Sequence, residues 1–235
     1  MTNYRIPKIL ILLFSVFLCT SCFDIQENIF LKRDGSGKFT FVIDMSELKA
    51  MFGDGEITTT ASKENKKPKD KIDSKFDEVK KELKKIDGIS NITQNVDTTN
   101  IIVKIGFDFK NVNALNSAMN VIFKDEENPK AIAYYEYKDK QFKRLESASK
   151  GFLKSGFEDK NAPKDKPTEV SSLFNLDALF QTISYTTTYE FENEIKNSLN
   201  KEAVISDKKK ITLKCYPFVA DSTKQCTLTN IITLN

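Results

Sequence analysis

IQENIFLKRDGSGKFTFVIDMSEL, residues 25–48, is the stretch that decides the fold. Ile25, Glu27, Ile29 and Leu31 fall on one face of an extended chain. After a break, Phe39, Phe41 and Ile43 alternate with Lys38, Thr40, Val42 and Asp44. Period-two alternation is the mark of a half-buried strand. Between the two runs lies Asp34-Gly35-Ser36-Gly37, whose glycines supply the positive φ angles that a tight reversal needs. The stretch therefore predicts a β-hairpin. It has neither the spacing of a phosphate-binding loop nor the alternating acidic ligands of a calcium loop.

The hairpin motif recurs. Ile101, Val103, Ile105, Phe107 and Phe109 alternate with Lys104, Gly106 and Asp108, after a strand-like ISNITQNVD. AIAYYEYKDKQFKRL predicts a hairpin turning at Lys138-Asp139-Lys140. Its tyrosines Tyr134, Tyr135 and Tyr137 are either ordinary strand side chains or the lining of a ligand surface. TISYTTTYEF is a strand with Ile183, Tyr185, Thr187, Tyr189 and Phe191 on one face. EAVISDKKKITLKC predicts a hairpin around Asp207, and CTLTNIITL closes the chain.

Helical periodicity also occurs. Ile72, Phe76, Val79, Leu83 and Ile86 form one apolar stripe ended by Asp87-Gly88. Asn111 is placed to cap VNALNSAMNVIFK, with Val112, Leu115, Met119 and Ile122 on one side. Shorter helices are predicted from Asp44 or Ser46 to Phe52, and after Ser171 or Ser172, with Leu173, Phe174, Leu176, Leu179 and Phe180 apolar. Polar, lysine- and proline-containing loops are expected near 54–70 and 155–171. Strands do not alternate singly with helices, so a doubly wound parallel sheet is disfavoured. The expectation is an α+β fold: a largely antiparallel sheet built from hairpins, with three to four amphipathic helices packed on one face.

The N-terminus carries the clearest functional signal. Arg5 and Lys8 are followed by an apolar run from Ile9 to Leu18, broken only by Ser15, and then by Cys19-Thr20-Ser21-Cys22. The run is too short for a comfortable membrane span and has the plan of an export signal. Leu18-Cys19-Thr20-Ser21-Cys22 resembles a bacterial lipobox, with Cys19 standing where leucine is usual. The resemblance implies cleavage after residue 21, acylation of Cys22 and a mature α+β domain over 22–235. A plain signal or uncleaved anchor, and a redox or metal C-x-x-C, are the competing readings. No βαβ pattern follows to support a redox pair, and no further thiolates or histidines lie nearby for zinc. Phe23 rather than Asp follows Cys22, which implies sorting to the outer membrane.

Cys215 and Cys226 are the other two cysteines. A hairpin with YPFVADSTKQ as its loop would bring them together, and an exported protein favours a disulfide. Such a bond is worth roughly 2–3 kcal/mol on the chain-entropy estimate. Two separate free thiols are the alternative.

Composition narrows the chemistry. There is no histidine among 235 residues, which excludes Ser-His-Asp and Cys-His catalysis and histidine-containing zinc sites. Net charge is +3, and Arg5 and Lys8 belong to the leader, so global charge gives no case for nucleic acid. No cofactor fingerprint is present. A lipid-anchored envelope protein with a non-enzymatic binding role is the leading expectation. The alternative is a cell-wall hydrolase using two carboxyls about 5–9 Å apart in a cleft.

ENIFLKRDGSGKFTFVIDMS and YTTTYEFENEIKNSLNKEAVISDKKKITLK, at the two ends of the mature chain, resemble an uncharacterised family of bacterial lipoproteins, loosely like the LppM-type envelope lipoproteins. The resemblance implies an anchored α+β envelope domain and supplies no catalytic residues.

Overall fold

The computed structural model describes residues 23–47, 68–97, 99–124, 131–145, 181–219 and 226–235. The leader, Cys22, most of the predicted 44–52 helix, the predicted helix after 172 and residues 54–67 and 155–171 lie outside the described residues.

The opening hairpin forms as its alternation dictates. Strands β1 (Phe23–Leu31) and β2 (Gly37–Asp44) pair antiparallel with Glu27 opposite Phe41. In the connection, Asp34 Oδ1 accepts from the Ser36 backbone N–H and hydroxyl, and Gly35 takes φ +81°. Gly37 is required by close approach: a Cβ there would lie 2.0 Å from the Phe30 carbonyl oxygen.

Helix α1 (Pro68–Leu83) leads into strands β3 (Ile89–Asp97) and β4 (Ile102–Phe109), followed by α2 (Val112–Ile122). Proline suits a first helical position, so the loop expected to reach residue 70 gives way at Pro68. Asn111 caps α2 through a 2.9 Å bond from the Ala114 N–H to its Oδ1. Next come β5 (Tyr135–Lys138), β6 (Gln141–Arg144), β7 (Ile183–Phe191), β8 (Ile195–Ser198), β9 (Val204–Asp207), β10 (Lys210–Cys215) and β11 (Asn230–Leu234). Asp139 and Lys140 both have positive φ in the β5–β6 turn.

These strands form two sheets. One has seven strands in the order β3-β4-β2-β1-β7-β10-β9, and the other has four in the order β5-β6-β11-β8. Every pairing is antiparallel except that of β1 with β7, which is parallel.

The expected α+β arrangement of one sheet under three to four helices is therefore corrected. The described fold is mostly β, with eleven strands in two sheets and two helices. Alternation identifies a strand but not the sheet it joins, and β5, β6, β8 and β11 assemble a second layer. The helices and the small sheet share the inner face of the large one. Val112, Leu115, Met119 and Ile122 of α2 are buried, while Phe142 of β6 lies edge-on to Tyr189 and Phe191 of β7. Val79, Leu83 and Ile86 carry the α1 end of the stripe into the same core.

Two asparagines join α2 to the small sheet. Asn116 accepts from the Tyr134 and Tyr135 N–H groups and donates to the Tyr135 carbonyl. Asn120 bonds both backbone groups of Ile132.

Candidate functional site

The inner face of the large sheet is apolar in almost every row. One row runs Ile105, Phe41, Glu27, Thr187, Leu213 across five strands. Glu27 thus stands at the centre of a hydrophobic layer, 0% exposed. A lone buried carboxylate would cost several kcal/mol, so it must be paired and hydrogen-bonded. The parallel β1–β7 register sets Tyr185 and Tyr189 on either side, opposite Ile25 and Ile29. Glu27 Oε2 accepts from the Tyr185 hydroxyl and Oε1 from the Tyr189 hydroxyl, each at 2.8 Å.

The neutralising charge comes from the other sheet. Arg144 of β6 is 2% exposed and sets its Nη2 3.2 Å from Glu27 Oε2. Its Nη1 donates to the Tyr135 hydroxyl at 2.7 Å, and the guanidinium lies 5.0 Å from the Tyr135 ring centroid. Arg144 Nε has no hydrogen-bond partner among the described residues. Burial pushes the hydroxyls of Tyr135, Tyr185 and Tyr189 well above the ordinary tyrosine range, and the Glu27 charge adds to the rise. Burial alone would lower the Arg144 value, but Glu27 and the three tyrosines together outweigh it, and the guanidinium is held firmly charged.

This cluster is a sealed bridge between layers. Glu27 meets a guanidinium and two phenols rather than a second carboxyl, so it does not form the paired-carboxylate arrangement that glycoside hydrolysis requires. Residue-by-residue reading of the sequence overlooked it. The available signal was a charged residue in phase with the buried face on two strands: Glu27 among Ile25, Ile29 and Leu31, and Arg144 two places after Phe142.

The expected cysteine pair is joined: Cys215 and Cys226 form a disulfide with Cα atoms 5.7 Å apart. The hairpin expected between them does not form. Cys215 ends β10 in the seven-stranded sheet, whereas β11 belongs to the four-stranded sheet. The bond closes the crossover from one layer to the other.

Cys22 lies outside the described residues, but its chain neighbour is informative. Phe23 is the first residue of β1 and is 1% exposed. Among the tyrosines that were candidates for a ligand surface, Tyr134 and Tyr135 are core residues. Tyr137 is half-buried and donates to the Arg33 carbonyl. Among the described residues, the large apolar side chains that stay exposed are Ile132, Leu145, Leu199, Val204 and Ile205, spread over both sheets. Leu199 and Val204 are 64% and 63% exposed, and Ile205 follows on the edge strand β9.

No protein-family model and no curated protein matches the chain. Among solved structures, the folded domain of Mycobacterium tuberculosis LppM is similar at 8% identity and a TM-score of 0.40. That alignment covers 91% of this chain and 90% of the other. The likeness is one of loose architecture, and no site residue is carried over from it.

Proposed function

We propose that this chain is a lipid-anchored cell-envelope protein, held by acylated Cys22, that acts as a non-enzymatic binding or interaction module at the outer membrane. The observation that carries this reading is the junction between leader and fold. The lipobox-like cysteine directly precedes Phe23, where β1 begins. Cleavage after residue 21 would leave Cys22 as the residue directly before the first described strand. The Cys215–Cys226 disulfide suits an oxidising compartment outside the cytoplasm. Two or more acyl chains on Cys22 would hold the protein stably on a bilayer, whereas one anchors only marginally.

The binding role draws support from β9, the terminal strand of the described seven-stranded sheet, which carries exposed Val204 and Ile205. The test is palmitate labelling with membrane fractionation, followed by co-purification from detergent extracts. Labelling should be globomycin-sensitive, vanish in Cys22→Ser and fractionate with the outer membrane. Labelling that persists in Cys22→Ser would sink the anchor assignment.

A further inference from the structure

An acylated residue usually has a tether to drift on, and here none is available. Phe23, one residue after Cys22, is already fixed in β1. It is paired in register with Ile183 of β7, and the next residue, Asp24, accepts from the Ser184 hydroxyl. Consecutive Cα atoms lie about 3.8 Å apart, so the slack between anchor and fold is a few Å. The anchored strand is also the middle one of seven. Three strands on either side extend the sheet by roughly 14 Å each way at the usual strand spacing. A tether that short, attached at the centre of so broad an end, strongly limits tilting in the plane of the sheet.

We infer that the domain stands end-on against the lipid headgroup layer, with the end of the large sheet that holds Phe23 as its membrane-facing surface. This rests on the reading of Cys22 as the acylated residue. The register names the described residues at that end. Asp44 of β2 lies opposite Asp24 and Ile102 of β4, Ile183 begins β7 beside Phe23, and β10 ends two residues further in, with Cys215 opposite Tyr185. The β3–β4 turn lies there too, tied by Asp97 Oδ1, which accepts from the Thr99 and Asn100 N–H groups.

The described carboxylates at this rim are Asp24, Asp44, Glu47 and Asp97. The pose follows from the covalent tether and needs no particular lipid charge. The opposite end carries the 32–36 connection and the β9–β10 turn. It stands about 30 Å away, the length of a nine-residue strand. The β9 edge is then presented sideways, open to a partner moving along the membrane.

The test uses the full-length acylated protein in phosphatidylcholine vesicles that contain a headgroup-nitroxide lipid. Thr99→Cys and Lys209→Cys, each labelled with a thiol-reactive fluorophore, report on the two ends, since both positions are exposed. Quenching at 99 should exceed that at 209 several-fold. Equal quenching, or stronger quenching at 209, overturns the pose. In a second protein, a Gly/Ser linker of roughly ten residues separates Cys22 from Phe23. There the difference should collapse, and a difference that persists would overturn the short tether as its cause. Palmitate incorporation in the same preparations keeps the two ideas apart. Protein without palmitate that fails to float with vesicles refutes the anchor, whereas palmitate-bearing protein with equal quenching refutes only the pose.

Discussion

Two halves of one sheet face are buried in different ways. The β3-β4-β2 half lies under α2 and is sealed by aromatic and aliphatic contact. Phe39 stacks on Phe107 at 5.0 Å, and Phe41 meets Phe123 edge-on at 5.1 Å. The β1-β7-β10 half lies under the four-stranded sheet, and at its centre the two layers meet through Glu27, Arg144 and three tyrosines. Apolar packing accepts many arrangements of similar volume. A buried ion pair accepts one, because a shifted layer would strand both charges. The difference suggests a division of labour: the helical half contributes burial, and the two-sheet half fixes the alignment of the layers.

The comparison breaks most readily at high pH. Tyr135, Tyr185 and Tyr189 hold their protons more tightly in the fold than in the unfolded chain, where tyrosine titrates near 10. Their contribution is complete below that value and is lost as pH rises above it, because the unfolded state then binds fewer protons. Each tyrosine lowers stability by roughly 1.4 kcal/mol per pH unit in that range, about 4 kcal/mol for the three. Urea denaturation at pH 9 and pH 11 measures the loss, and Tyr185→Phe should remove about a third of it. A Tyr185→Phe protein with an unchanged slope would show that the cluster is not the source.

Removing one partner of the pair comes next. Arg144→Met should cost about 3–5 kcal/mol in chemical denaturation, since it leaves Glu27 buried without its counter-charge. Adding Glu27→Leu should restore much of that loss. If the double variant is no more stable than the single, the pair does more than neutralise itself.

On the helical half, Met119→Ala should cost about 3 kcal/mol through a cavity. Asn111→Ala should cost about 1 kcal/mol through the lost cap. Neither should alter the alkaline slope, and a change there would erase the distinction between the halves.

Much of the fold was legible where information is local. The hairpin around Asp34-Gly35, the Asp139-Lys140 turn, the Asn111 cap and the inward row of Ile183, Tyr185, Thr187, Tyr189 and Phe191 all follow from neighbouring residues. What alternation does not encode is partnership between distant strands. Hairpin logic placed β10 and β11 together because they are adjacent in sequence and both hold apolar alternation, yet they belong to different sheets. The parallel β1–β7 pair has no turn to announce it. Glu27 and Arg144 were each visible as an in-phase charge, but only the stacking of two layers reveals that they meet.

The parallel pair has a consequence for how the chain matures. Asp24 and Ser184, which it brings into contact, are 160 positions apart. Contacts between such remote segments form slowly, because a long loop must close before they contribute. A chain that crosses a membrane N-terminus first presents its phenylalanine-rich opening hairpin long before residues 183–191 arrive to cover the edge of β1. During that interval the hairpin is an open template for strand addition. If the chain is exported as proposed, the hairpin needs protection on the far side until residues 183–191 arrive, and a chain truncated before residue 183 should aggregate there instead of folding in part.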